Sequence, residues 1–166
     1  MVTGPNGNNM RTLNGAWSYS WQGELTDRFA GDFNTIYESL QNNYGRNNVK
    51  YVSGVSYREN GNYYDMVEDN ISLAVREAKN SDYVVLCLGE NTYTEKPGDL
   101  NDLNIHKLQR KLAIELSKTH DVLVLADQHD KKNDSYYDLK YEKNIRIKRI
   151  SGIKFFRKRK KLSCFF

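Results

Sequence analysis

Proline is almost missing from this chain. The 166 residues hold only two, Pro5 and Pro97, so no proline-rich linker divides the sequence. Cysteine is as scarce. Cys87 and Cys164 make no disulfide framework, and their spacing matches no metal motif. Cys87 lies inside an apolar run and reads as a small core residue, while Cys164 reads as a free thiol close to the end. The three histidines, His106, His120 and His129, have no ligand pattern around them, so no metal and no cofactor are expected. No apolar run approaches the about 18 residues that mark a membrane helix. Met1-Val2-Thr3-Gly4 leads directly into Pro5-Asn6-Gly7-Asn8-Asn9, without the basic start and apolar core of a signal peptide.

Tyrosine is abundant, with 12 residues, and charge is unevenly spread. The formal net charge is +4, but residues 131–166 hold 13 of the 25 Lys and Arg and only 3 of the 21 Asp and Glu. That segment is therefore +10 and the rest −6. An acidic body is followed by a basic end, and the two are read separately.

The body alternates. Residues 2–4 predict the last part of a strand, clipped at Met1. Gly4 to Gly23 is glycine- and asparagine-rich and predicts a loop. Within it, Trp17, Tyr19 and Trp21 stand at period two, which fits either a packed strand face or an exposed aromatic platform for a sugar. Helical spacing of Ile36, Tyr37, Leu40 and Tyr44 predicts a helix over 35–44, with Gly45 beyond its end. Val49–Val52 predicts a short strand and residues 55–64 a loop. Met66, Val67, Ile71, Ala74, Val75 and Ala78 predict a helix over 66–79. Tyr83–Leu88 and Asp121–Ala126 are apolar on both faces, as central parallel strands are, and a helix over 105–117 lies between them. The order predicts an α/β fold, a three-layer sandwich with a mostly parallel sheet. The expected domains are an α/β unit over 1–126 and a basic, poorly packed tail over 127–166, with no further alternation after Ala126. The loops after the strands then gather at one edge of the sheet.

The third of those loops is the most distinctive. Leu86–Asp99 reads LCLGENTYTEKPGD, a buried strand that stops at Gly89 and opens into a carboxylate-rich loop with Glu90, Tyr93, Glu95 and Asp99. Such a strand end is where an α/β protein places its chemistry. Asp99 reads as a brace for the turn after Pro97-Gly98, and His106 and His120 as surface residues. Asn6–Asn9 reads as backbone turns, with contact to sugar hydroxyls as the alternative.

With both loops in hand, the sequence resembles glycoside hydrolase family 3, in the α/β sandwich domain that follows the catalytic barrel of β-glucosidases and exo-glucanases. The motifs are VTGPNGNNMRTLNGAWSYSWQG at 2–23 and LCLGENTYTEKPGDLNDL at 86–103. The resemblance covers about 1–126. It implies a retaining mechanism on a β-linked gluco-oligosaccharide or glucoside, with the nucleophile on a (β/α)8 barrel and the general acid/base on the sandwich domain. Carried over by motif, the acid/base position is Glu95, with Glu90 as second choice or as an organiser of the loop. Trp21, Trp17 and Tyr93 become substrate-binding candidates. Members of the family are often periplasmic or extracellular.

Two departures accompany the resemblance. No acid in this chain matches the family's nucleophile motif, and the barrel is not present, so the chain alone is expected to be inactive. From about His120 the sequence leaves the family pattern and turns basic, as an out-of-frame or spliced end would. The alternatives are a flavodoxin-like module that binds a small ligand or carbohydrate without hydrolysis, and a polyanion-binding protein using Arg157–Lys161. No nucleic-acid motif accompanies that basic run, so nucleic acid is not an expected partner.

Overall fold

The computed structural model describes residues 1–28, 30–95, 104–127 and 145–150, with no side-chain description for Asp27, 124–127 and 145–150. The expectations that fall on the Pro97-Gly98 turn, Asp99, His129, Arg157–Lys161 and Cys164 lie outside the described residues.

A five-stranded parallel sheet forms the middle layer. Its strands are β1 (Val2–Thr3), β2 (Tyr51–Val52), β5 (Val84–Leu88), β6 (Val122–Asp127) and β7 (Ile145–Ile150). They lie in the order β2-β1-β5-β6-β7, and every neighbouring pair is parallel. A two-stranded antiparallel ribbon, β3 (Val55–Tyr57) with β4 (Met66–Glu68), stands beside it.

β5 shows why the fold is a three-layer sandwich. Side chains alternate across a strand, and here both faces are apolar. Val84, Leu86 and Leu88 enter a core with Ile71, Ala74 and Ala78 of α3 (Ile71–Ala78) and Leu112, Ala113 and Leu116 of α4 (Lys107–Ser117). Cys87 and Val85 turn the other way, toward Val2 and Ile36, Tyr37 and Leu40 of α2 (Ile36–Tyr44). β1 is only two residues long, yet Val2 and Thr3 are buried because β1 is paired on both sides.

Helix starts follow side-chain capping. Thr35 and Glu38 form a reciprocal capping box at α2. Asn70 Oδ1 accepts from the Leu73 backbone N–H at α3, at 2.8 Å. That cap explains the main departure from the sequence reading. The helix expected over 66–79 begins only at Ile71, because Met66–Glu68 pairs with Val55–Tyr57 instead. Met66 and Val67 met the helical spacing by coincidence, and the expected loop over 55–64 begins with a strand. The expected Gly4–Gly23 loop likewise contains a short helix, α1 (Met10–Asn14), capped by Asn9. Past Ala126, where no further alternation was expected, Ile145–Ile150 extends the sheet beside β6.

Cys87 is fully enclosed, in agreement with the sequence reading, and burial pushes its thiol up to about 12. A thiolate is the reacting form. In a chain carrying Cys164→Ser, a colorimetric thiol reagent at mildly alkaline pH is expected to report no reactive thiol natively, and full reaction in concentrated guanidinium. Rapid native labelling would place Cys87 at the surface.

Candidate active site

The winding of the sheet reverses between β1 and β5. β1 leads through α2 to β2 on one side, and β2 leads back through α3 to β5 on the other. In open parallel sheets the crevice beyond the strand C-termini at such a reversal is the usual ligand site. Here the chain leaves β1 into Gly4–Gly23 and leaves β5 into Gly89–Glu95.

Both strand ends are tightly fixed. Gly4 has φ +93°, and a Cβ there would lie 2.3 Å from the Cys87 carbonyl oxygen. Gln109, buried in α4, grips Gly89 twice: the Gly89 N–H donates to Oε1 at 3.0 Å and Nε2 donates to the Gly89 carbonyl at 2.7 Å. The Tyr57 hydroxyl lies 3.0 Å from the same carbonyl and 2.6 Å from Asn6 Oδ1. It has one proton for two acceptors, while the buried Asn6 Nδ2 has no partner among the described residues. Turning the Asn6 amide over lets Nδ2 donate to Tyr57 Oη and Tyr57 donate to Gly89, so one phenolic proton no longer faces two acceptors.

Beyond Gly89 the two loops are stitched to each other. The Arg11 guanidinium donates from Nε to Thr92 Oγ1 at 2.6 Å and from Nη2 to the Thr92 carbonyl at 3.2 Å. Burial lowers the Arg11 pKa, and the nearby Glu24 opposes that effect. Two residues on, the Gln22 amide pairs with the Thr94 backbone in both directions. The Thr94 N–H donates to Oε1 at 2.8 Å, and Nε2 donates to the Thr94 carbonyl at 3.3 Å. Tyr93, between them, donates to Glu90 Oε2 at 2.6 Å and packs its ring, tilted by 40°, against Tyr63 with centroids 4.2 Å apart. The Tyr63 phenol is raised chiefly by burial, then by the Glu90 charge.

Glu95 follows, exposed and with φ +55°. Across the stitch stand the aromatics: Trp17 is 66% exposed, Trp21 49% and Tyr19 46%. Trp17 and Tyr19 have φ +60° and +64°, so this stretch is a compact turn and not a strand face. The Trp17 N–H donates to the Trp21 carbonyl at 3.1 Å and closes that turn. Of the two readings the period-two aromatics left open, the packed strand face is excluded, and the three rings stand exposed.

The structure thus gathers Trp17, Trp21, Glu90, Tyr93 and Glu95 at one edge. Trp21 precedes Gln22 and Glu95 follows Thr94, so a single two-bond clamp joins their immediate neighbours. Tyr93 and Glu90 are engaged with each other inside the loop. Asn9 caps α1 and so serves the backbone as expected, while Asn8 Oδ1 accepts from the Thr35 hydroxyl, a side-chain pairing at the start of α2. His106 is half-buried, not a plain surface residue: its Nδ1 accepts from the Leu108 N–H at the start of α4. Arg11, Gln22, Tyr57 and Gln109 were not among the expected site residues. Gln109 had a signal, since it falls with Leu112, Ala113 and Leu116 at i, i+3, i+4 and i+7.

Over 128 residues the chain is 32% identical to the lysosomal beta glucosidase of Dictyostelium discoideum, across 75% of this chain and 15% of that protein. Its backbone matches an exo-1,3/1,4-beta-glucanase from a Pseudoalteromonas species with a TM-score of 0.53, at 23% identity, across 76% of this chain and 18% of that one. The chain belongs to glycoside hydrolase family 3. No family model matches the sequence. At 23% identity the second likeness establishes the fold, an α/β sandwich of this family's type. The chain spans 15% of the length of its curated relative and corresponds to one portion of such an enzyme. Among the described residues no helix is long and apolar enough to cross a membrane.

Proposed function

We propose that this chain carries the proton-donor loop of a retaining β-glycosidase, with Glu95 as general acid/base and Trp21 as an aromatic wall of the sugar site. The observation that carries the reading is the Gln22–Thr94 clamp, which holds the tryptophan turn against the Glu95 loop at the sheet's reversal. A glycoside ring stacked on Trp21 would then bring its glycosidic oxygen to the side where Glu95 leaves the backbone. Glu90 organises the loop by accepting from Tyr93 and serves as the second choice for the acid.

Retaining chemistry needs a second carboxylate about 5–5.5 Å from the acid. We assign that nucleophile to a (β/α)8 barrel, as in the family, and the substrate to the β-linked glucosides on which the relatives' names place them. A polypeptide of these 166 residues alone is expected to release no p-nitrophenol from aryl β-glucosides above background. Supplying a barrel of the family, fused ahead of Met1 or added in trans, is expected to restore turnover. Turnover at ordinary glycosidase rates by the chain alone would overturn the division of labour. The sheet order, shared with flavodoxin-like folds, supports a second reading of ligand binding without hydrolysis. Sugar-dependent change in Trp17 and Trp21 fluorescence, with no turnover in either arrangement, would select it.

A further inference from the structure

We infer that Gln22 is the positioning residue for Glu95, and that it acts by holding the Glu95 backbone in a conformation that a glutamate does not adopt unaided. The inference rests on the proposed acid/base role for Glu95 and explains how the carboxyl is kept in place.

Glu95 has φ +55°, in the left-handed region where a residue with a Cβ is strained relative to right-handed backbone. Such a conformation persists only where the surroundings impose it. Immediately upstream, Thr94 donates its N–H to Gln22 Oε1 and accepts from Gln22 Nε2 at its carbonyl. The carboxamide of Gln22 therefore occupies both backbone groups of Thr94 as a neighbouring strand would. The Thr94 carbonyl belongs to the peptide unit that carries the Glu95 N–H. Fixing that carbonyl fixes the plane from which φ of Glu95 is measured.

Gln22 is itself held. The Gly23 N–H donates to the Ser20 carbonyl at 3.2 Å, Thr26 Oγ1 donates to the Gly23 carbonyl at 2.8 Å, and Gly23 has φ +72°. A Cβ at Gly23 would lie 2.5 Å from the Gly15 carbonyl oxygen, so the turn that bears Gln22 is packed directly on the end of α1. The Arg11–Thr92 bonds brace the same strand of loop two residues earlier. Arg11 sets the path of the loop, and Gln22 sets the peptide plane from which Glu95 departs.

The test has two arms. In the 166-residue chain, NMR is expected to find the Thr94 amide protected from exchange and the Glu95 carbon shifts in the left-handed range. In Gln22→Ala, Thr94 exchange should quicken about tenfold or more, as losing a bond of roughly 1.4 kcal/mol implies. The Glu95 shifts should move toward coil while the β5 amides keep their protection. Gln22→Glu, which keeps the acceptor and loses the donor, should give a smaller change of the same sign and serves if Gln22→Ala fails to fold. Unchanged Thr94 exchange and Glu95 shifts in both variants would overturn the inference.

In the barrel-supplied enzyme, the ratio of kcat/KM on an alkyl β-glucoside to kcat/KM on a dinitrophenyl β-glucoside should fall in Gln22→Ala, because kcat/KM reports the first, bond-cleaving step and only the alkyl substrate needs a proton delivered there. A loss of equal size on both substrates would reduce Gln22 to a purely structural role and overturn the inference. If Glu95→Gln leaves that ratio unchanged, the acid/base assignment has failed. If Glu95→Gln lowers it and Gln22→Ala does not, the positioning role alone has failed.

Discussion

Gly4→Ala is expected to destabilise the chain by about 3–5 kcal/mol, which is comparable to the whole stability of a small domain. Two separate costs combine. The backbone at Gly4 has φ +93°, which an alanine adopts only with strain of about 1–3 kcal/mol. The added Cβ would also sit 2.3 Å from the Cys87 carbonyl oxygen and 3.0 Å from its carbon, which are backbone atoms of a central strand and cannot rotate away. Relieving that contact means prising β1 from β5, where overpacking costs about 1–3 kcal/mol more. The Gly4 N–H donates to the Ser53 carbonyl at 3.0 Å, and the Asn6 N–H to the Cys87 carbonyl at 3.3 Å, so both bonds would be disturbed together.

Urea unfolding followed by far-ultraviolet circular dichroism measures this effect. Tryptophan emission would report it poorly, because Trp17 and Trp21 are exposed in the folded chain. Gly31→Ala is the matched control, since a Cβ there meets nothing within 4 Å and Gly31 has no positive φ. The midpoint should drop steeply for Gly4→Ala and stay nearly fixed for Gly31→Ala, with equal slopes marking a true stability change. Equal midpoints would mean that β1 does not approach β5 as closely as the sheet requires.

The same contact shows why parts of this fold were legible in the sequence. β5 is apolar on both faces because α3 and α4 cover one and α2 the other, so a run such as Val84–Leu88 announces a central parallel strand without any alignment. Thr35 with Glu38, and Gly45, mark the ends of α2 through local chemistry alone. The family motifs placed Glu90, Tyr93 and Glu95 on the loop after β5 and the two tryptophans on the loop after β1. Parallel winding then put those two loops at one edge.

What the sequence concealed was decided by partners distant in the chain. Met66 and Val67 satisfy a helical period, yet the pairing with Val55–Tyr57 claims them, and no local pattern records that competition. α1 escaped notice because Met10–Asn14 is shorter than two turns and carries no apolar stripe. Gln22 and Arg11 read as ordinary polar loop residues, since their partners Thr94 and Thr92 lie 72 and 81 positions away. Charge balance was equally silent, because the bonds that join the loops run from side chains to backbone and to a hydroxyl. The site is therefore legible as a pair of loops and illegible as a mechanism for holding them.

Glu95→Gln in the barrel-supplied enzyme is expected to lower turnover of alkyl and oligosaccharide β-glucosides by about 10²–10⁴, the range that general acid catalysis contributes. Glutamine fills the space of the glutamate and keeps an oxygen and a donor in place, but it cannot release a proton to a departing alkoxide. A dinitrophenolate leaves without that proton, so bond cleavage on such a substrate should be affected far less. The second half of a retaining reaction then becomes limiting, because the same residue must next act as base toward water. Azide attacks the glycosyl-enzyme without a base, so adding it should restore turnover of the dinitrophenyl substrate and yield a glycosyl azide. Glu90→Gln should behave differently. Its carboxylate accepts from Tyr93 at 2.6 Å, and weakening that bond loosens the loop without removing the proton donor. The expected result is a loss of similar size on every leaving group and no response to azide. Were the leaving-group dependence and azide rescue to appear in Glu90→Gln and be absent from Glu95→Gln, the two carboxylates would exchange roles, and the clamp at Thr94 would be holding the wrong residue.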